Sequence, residues 1–244
     1  MSGLSSNLVS DTNGVSNQKG TTMKTFDTPQ PISAHLDVPA GRVQLVATDR
    51  TDTVVEVRPA DPSKSRDVKV AEQVKVEYGD GVLRIESTAK NQYFGPSGSL
   101  AVTVQLPAGS QAEVRAASVE LKAVGRFGDL TVNSAHGAID LEDVASAKLT
   151  TSAGDVTVGR LNGPAEIRTS QGDIRVAEAV RGAVVLRTEA GDVEIGAAPG
   201  VSASLDAGTA SGRISNSLHN TEGPAPELTI KATTSMGDIR AYSL

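Results

Sequence analysis

Three aspartates recur in one setting, Gly154-Asp155-Val156, Gly172-Asp173-Ile174 and Gly191-Asp192-Val193, and Gly237-Asp238-Ile239 repeats it near the end. Carboxylates at regular intervals could do two kinds of chemistry. Stacked on neighbouring strands about 4.8 Å apart, they could hold a column of calcium ions, because that cation takes oxygen ligands at turns. The calcium-binding β-roll phrase, however, needs Gly-Gly-x-Gly-x-Asp in every turn, and here each turn offers one glycine and one aspartate. Alternatively, Asp173 and Asp192 could gather with Arg168 and Arg187 on one outer face and supply acid, base and cation to a polysaccharide lyase or hydrolase. That reading needs a cleft holding carboxylates of divergent pKa, and aromatic sugar platforms besides. The plainer role is an Asp that hydrogen-bonds its own turn backbone. Like charges so stacked repel by some tenths to about 1 kcal/mol per pair. Arg213 holds the Asp position in the fifth copy, where it can relieve repulsion as a surface ion pair.

Other reactive constellations are absent from the sequence. His35, His136 and His219 lie in different segments without metal-ligand spacing, and no Gly-x-Ser-x-Gly elbow, phosphate loop or dinucleotide fingerprint occurs. No catalytic, cofactor-binding or metal-ligating residue is therefore assigned, no cofactor is expected, and Gly154, Asp155, Gly172, Asp173, Gly191, Asp192, Gly237 and Asp238 are read as turn residues.

The elements that position these turns follow from the repeat. Glycines at 137, 154, 172, 191, 212 and 237 are separated by 17, 18, 19, 21 and 25 residues, each joining a turn to an apolar/polar alternation. This is the signature of stacked β-coils, so the expected fold is all-β, a single-stranded β-solenoid (β-helix) with a β-rich N-terminal capping half. Five residues before the glycines stand Val132, Leu149, Ile167 and Leu186; two after them stand Ile139, Val156, Ile174 and Val193. A period of two adds Leu141, Val158, Val176 and Ile195 to the inner face and turns Asp140, Thr157, Arg175 and Glu194 to water. Thr151, Thr169 and Thr188 share the inward parity and should form a polar ladder near a corner. Phe127-Gly128-Asp129-Leu130 imitates the repeat out of phase, since Val119-Glu120-Leu121 matches Ile139-Asp140-Leu141, and is placed at the second turn with Leu161-Asn162-Gly163-Pro164.

Residues 1–22 form a Ser/Asn/Thr/Gly leader expected to be disordered, 23–115 a β-rich N-terminal cap, and 116–244 the solenoid coils running in sequence, within one continuous domain over 23–244. Gly79-Asp80-Gly81 between two alternating runs signals a hairpin. Two long loops are candidate contact sites: one carries Tyr93 and Phe94, the other His219 and Asn220. The formal charge of −6 and the poverty in aromatics, three Phe, three Tyr and no Trp, argue against nucleic acid. No cysteine is present, which excludes a disulfide framework. Without a basic n-region or an apolar run of roughly 18 residues, the chain is expected to be soluble and cytoplasmic with no membrane span, or at the cell surface if exported by an unrecognised route. An edge at the Leu244 end offers a homo-oligomer by end-to-end edge pairing, with Tyr242 as its cover.

The repeated Gly-Asp-Val/Ile-x-Val/Ile phrase, Leu205-Asp206-Ala207-Gly208-Thr209-Ala210-Ser211-Gly212-Arg213-Ile214-Ser215-Asn216 and Thr234-Ser235-Met236-Gly237-Asp238-Ile239 resemble the bacterial putative-adhesin domain family of β-solenoid proteins. Thr25-Phe26-Asp27-Thr28-Pro29 and Asp49-Arg50-Thr51-Asp52-Thr53-Val54-Val55-Glu56-Val57-Arg58-Pro59 resemble the opening of its actinobacterial members. The resemblance implies the fold and an adhesive or scaffolding role without catalytic residues to carry over. The expected function is thus a non-enzymatic β-solenoid scaffold or adhesin-like module for an unknown protein partner; the alternative is a carbohydrate-active β-helix enzyme, a polysaccharide lyase or hydrolase.

Overall fold

The structure, a computed structural model, describes residues 20–87, 98–221 and 226–244. The expected leader falls almost wholly on 1–19, and Tyr93 and Phe94 fall on 88–97, outside the described residues.

The N-terminal part contains β1 (Thr22–Asp27), β2 (Ser33–Thr48), β3 (Asp52–Pro59), α1 (Ser65–Glu72), β4 (Val74–Gly79), β5 (Val82–Ser87) and β6 (Leu100–Pro107). After it come β7 (Gln111–His136), β8 (Ile139–Thr150), β9 (Val156–Leu161), β10 (Ala165–Arg168), β11 (Ile174–Ala179), β12 (Gly182–Arg187) and β13 (Val193–Ala197). The chain finishes with β14 (Ala203–Ser211), β15 (Ile214–Ser217), β16 (Leu228–Met236) and β17 (Ile239–Ser243). The fold is all-β, and its strands join into one open sheet. Antiparallel pairs are confined to the N-terminal part: β1 with β3, β3 with β6, and β4 with β5 through a two-residue Asp80-Gly81 turn in which both φ angles are positive. The N-terminal part also holds a helix that the alternation did not reveal. Val70 and Ala71 of α1 are buried, and the buried Asp67 carboxylate accepts the Ser99 N–H at 3.0 Å.

Beyond β6 every pairing is parallel and follows the repeat. Arms after the glycines stack as β6, β2, β7, β8, β9, β11 and β13. Arms before them stack as β8, β10 and β12, with Val132, Leu149, Ile167 and Leu186 in one register row. Parity alone explains the core. Val156, Val158, Ile174, Val176, Val193 and Ile195 are buried, while Arg175 stays exposed. The glycines mark places where one turn lies against the next. A Cβ on Gly191 would fall 2.1 Å from the Gly172 carbonyl oxygen, and one on Gly172 would fall 2.3 Å from that of Gly154.

One register expectation shifts. Leu121, not Val119, pairs with Ile139, so the match is two residues nearer than the phrase comparison implied. A slip of two preserves which side chains face inward, so parity could not reveal it. Phe127 does occupy the second-turn position, level with Val144 and, through it, Leu161.

The larger correction concerns order. The coils do not run in sequence to Leu244. The last coil, β16–β17, is inserted between β12–β13 and β14–β15: β16 pairs with both β12 and β14, and β17 with both β13 and β15. The stack therefore ends on β14 and β15, and Leu244 donates its N–H to Ala197 C=O inside the stack. Tyr242 lies on the outer side over Gly196 and does not cover that end.

Candidate functional site

The repeated turns build the most regular chemical feature of the surface. Asp155 Oδ1 accepts the Asp173 N–H at 2.9 Å, Asp173 Oδ1 that of Asp192 at 2.8 Å, and Asp192 Oδ1 that of Asp238 at 2.7 Å. Asp238 Oδ1 then accepts the Arg213 N–H at 2.8 Å. Each carboxylate thus bonds the backbone of the next turn in the stack, not its own turn as the sequence suggested. This charge-assisted bond offsets the repulsion that stacked carboxylates would otherwise suffer. The series stops at Arg213, whose guanidinium also meets Asp238 Oδ2 at 3.2 Å. That backbone N–H, and then the guanidinium, hold the Asp238 carboxyl below the ordinary carboxylate value.

Behind the carboxylates runs a hydroxyl ladder. Thr188 donates to Gly172 C=O, Thr234 to Gly191 C=O and Thr209 to Gly237 C=O, each at 3.0 Å, and Thr169 to Gln171 C=O at 3.1 Å. The Gly172, Gly191 and Gly237 turns are therefore held on both sides, by a carboxylate at the rim and by a hydroxyl within. Among the described residues, no buried side-chain N or O lacks a partner.

Two positions after each aspartate the outward side chains form a register row, Thr157, Arg175, Glu194, Arg240 and Ser215. Arg175 Nε bonds Glu194 Oε2 at 3.0 Å. Partial burial, followed by the Glu194 charge, pushes the Tyr242 phenol above its ordinary value. Arg175, Glu194, Arg240 and Ser215 of this row, with Asp173, Asp192, Asp238 and Arg213, line a groove of about 550 Å³.

The structure brings Asp173 and Asp192 together as the enzyme alternative required, but with Arg175, Arg213 and Arg240 as the groove's cations. Arg168 and Arg187 stand level with each other on the neighbouring column, and Arg168 is held by Glu166. His219 and Asn220 are exposed and lie beside the stack's end. His219 donates its N–H to Ser243 Oγ and accepts the Ala203 N–H on its carbonyl, and Asn220 Oδ1 accepts from Ser202 Oγ at 3.3 Å. His35 of β2 pairs with Glu113 of β7 at 3.1 Å. No group of residues suited to a metal ion occurs among the described residues. Sequence reasoning missed Arg175, Glu194 and Arg240 as one unit; their outward parity was visible, and only the coil order was lacking.

A family model described as Toastrack DUF4097 matches residues 35–242. Among solved structures, a protein described as a putative lipid binding protein from Parabacteroides distasonis ATCC 8503 is 13% identical, with a TM-score of 0.48 and coverage of 90% of this chain and 96% of that one. A putative adhesin from Bacteroides fragilis NCTC 9343 is 13% identical, with a TM-score of 0.43 and coverage of 93% and 100%. A putative cell adhesion protein from Clostridium sporogenes ATCC 15579 is 10% identical, with a TM-score of 0.38 and coverage of 92% and 100%. A search of curated proteins returns no match.

Proposed function

The chain belongs to the Toastrack DUF4097 family, and on that premise we propose that it is a non-enzymatic β-solenoid scaffold, an adhesin-like module whose stacked face binds a protein partner. The observation that carries this reading is the register row Thr157, Arg175, Glu194, Arg240 and Ser215 beside the carboxylate ladder. Parallel pairing fixes these side chains at strand spacing, about 4.8 Å, so the groove is a preorganised array of alternating charge. Such an array confers specificity on a protein contact through charge complementarity.

The alternative is a carbohydrate-active β-helix working in the same groove. Against it, Asp173 and Asp192 each have one carboxylate oxygen engaged by a backbone N–H of the next turn, a structural tie that accounts for both side chains without a catalytic role. The purified full chain is expected to release no product from a panel of acidic and neutral polysaccharides. Turnover abolished by Asp173→Ala or Asp192→Ala would overturn the scaffold reading.

We read the N-terminal part as the cap of one continuous domain over 23–244, and the opening phrases at Thr25 and Asp49 support an actinobacterial type of chain. Among the described residues no helix is long and apolar enough to cross a membrane. The proposed compartment is the cytoplasm. Recovery from the cell surface or the medium on fractionation of the native host would replace that assignment with an exported adhesin.

A further inference from the structure

The two ends of the stack are built differently. At the N-terminal end the edge strands β1 and β4 pair only with β3 and β5, but each carries a lysine, Lys24 and Lys75, and α1 packs against β3 and β6. Phe26 and Tyr78 pack ring against ring at 5.4 Å, and Lys24 Nζ reaches Val76 C=O at 2.8 Å. At the other end, among the described residues, β14 and β15 each pair with a strand on one side alone, β16 and β17 respectively. The inner row opens there as well. Ile239 is 1% exposed, whereas its register partner Ile214 is 47% exposed. Leu205 and Ala207, level with the buried Ile230 and Ala232, are half-buried.

Edges of this kind are usually protected by lysine, proline or a bulge. The two edge strands, ASLDAGTAS and ISNS, contain no proline, lysine or arginine. Their one charge, Asp206, is paired inward with Lys231 at 3.4 Å, and Arg213 between them is held by Asp238. A molecule of formal charge −6 repels its own copies, but this end adds no net charge to that repulsion. Some cover exists: Ala203 donates its N–H to His219 C=O, which occupies the start of the β14 edge. By strand alternation the N–H groups of Leu205 and Ala207 then point the same way, outward from β16.

We propose that the β14–β15 end is a dimer interface at which a second copy of this chain stacks end to end about a two-fold axis. The two-fold makes β14 and β15 edges antiparallel to those of the partner, so the sheet continues through the interface and the inner rows meet. A lone extended peptide covers one edge. A second copy presents both edges at the spacing of the two columns, together with an apolar row to close the core. Because the two-fold contact uses this same end of both copies, association closes at two copies rather than running on as a filament. At about 3.3 Å per residue and about 10 Å across, the 9 and 4 residues of the two edge strands offer roughly 430 Å² per copy. This is about half the usual share of a stable complex, so the dimer is weak and concentration-dependent. The proposal rests on the stacked-coil scaffold, yet partner binding in the groove can survive without it.

Sedimentation equilibrium of the full chain tests it, from low micromolar to near-millimolar concentration. A single monomer–dimer equilibrium is expected, weakened at least tenfold by Ile214→Glu and unchanged by Met23→Glu at the N-terminal end. Because the chain has no cysteine, Ser215→Cys provides a second readout that does not depend on destabilising the end. Mild oxidation should trap it as a covalent dimer, while Met23→Cys stays monomeric. A chain that is monomeric throughout the range, grows into higher oligomers, or cross-links equally through residues 23 and 215 overturns the proposal.

Discussion

Replacing Gly191 by alanine tests whether the turns are packed as tightly as the ladder implies. The new Cβ would lie 2.1 Å from the Gly172 carbonyl oxygen and 2.5 Å from its carbon, at a φ of +151°. An ordinary contact is about 3.5 Å, so neighbouring turns must part by more than about 1 Å. That separation breaks the bonds joining the two turns, Gly172 N–H to Ala190 C=O and Ile174 N–H to Asp192 C=O, both 2.9 Å. Each is worth about 0.5–1.5 kcal/mol, and a non-glycine residue at such a φ costs about 1–3 kcal/mol. Together they amount to about 2–6 kcal/mol, a large share of a typical domain's stability. Gly208→Ala is the matched control, because its Cβ meets nothing within 4 Å, and it should leave stability unchanged or raise it by about 0.4–1 kcal/mol. Urea unfolding followed by circular dichroism reads both. Unfolding free energies for Gly191→Ala and Gly208→Ala equal to within about 0.5 kcal/mol would refute the account of the turns.

Further outcomes follow from the same contacts. Asp52, Asp61 and Asp238 have carboxyls held below the ordinary value, by the Arg50 side chain, by Ser63, and by the Arg213 N–H respectively. As pH falls the unfolded chain takes up protons first, so their contribution is present above about pH 4 and lost as pH drops through the folded pKa values; urea midpoints between pH 7 and 2.5 should fall on that side. Tyr242 behaves oppositely: its phenol is pushed up, so stability is kept below about pH 10 and lost as pH rises through the folded value, and Tyr242→Phe should flatten the alkaline limb of the same profile. Thr188→Val removes the bond to Gly172 C=O and should cost about 1 kcal/mol, whereas valine for the exposed Thr221 should be within about 0.5 kcal/mol in the same urea assay.

The coil was legible because its two signals are local. A turn glycine fixes phase, and alternation fixes the inner face, so Leu149, Ile167 and Leu186 could be aligned from spacing alone. Coil order is a different kind of information. Gly212-Arg213-Ile214 and Gly237-Asp238-Ile239 present the same apolar surface to β13, and nothing local says which docks first. One residue did carry the answer: an aspartate accepts the next turn's N–H, but an arginine has no acceptor. The coil bearing Arg213 is therefore suited to the end of the ladder, with Asp238 before it, and this is the order observed. The helix α1 escaped because it spans 8 residues, too few for a helical period to stand out among alternating strands. Of the candidate site, the aspartates were found and their bonding partner was misplaced by one turn, since sequence cannot tell a bond within a turn from one between stacked turns.

The most direct test of the proposed function is retention of a partner by the groove. The full chain, immobilised and mildly cross-linked in host extract, should retain a saturable protein partner that is lost on Arg175→Glu with Arg240→Glu, substitutions of exposed side chains that leave the core untouched. Recovery of the bare chain, or equal retention by the charge-reversed variant, would contradict an interaction surface built on this row.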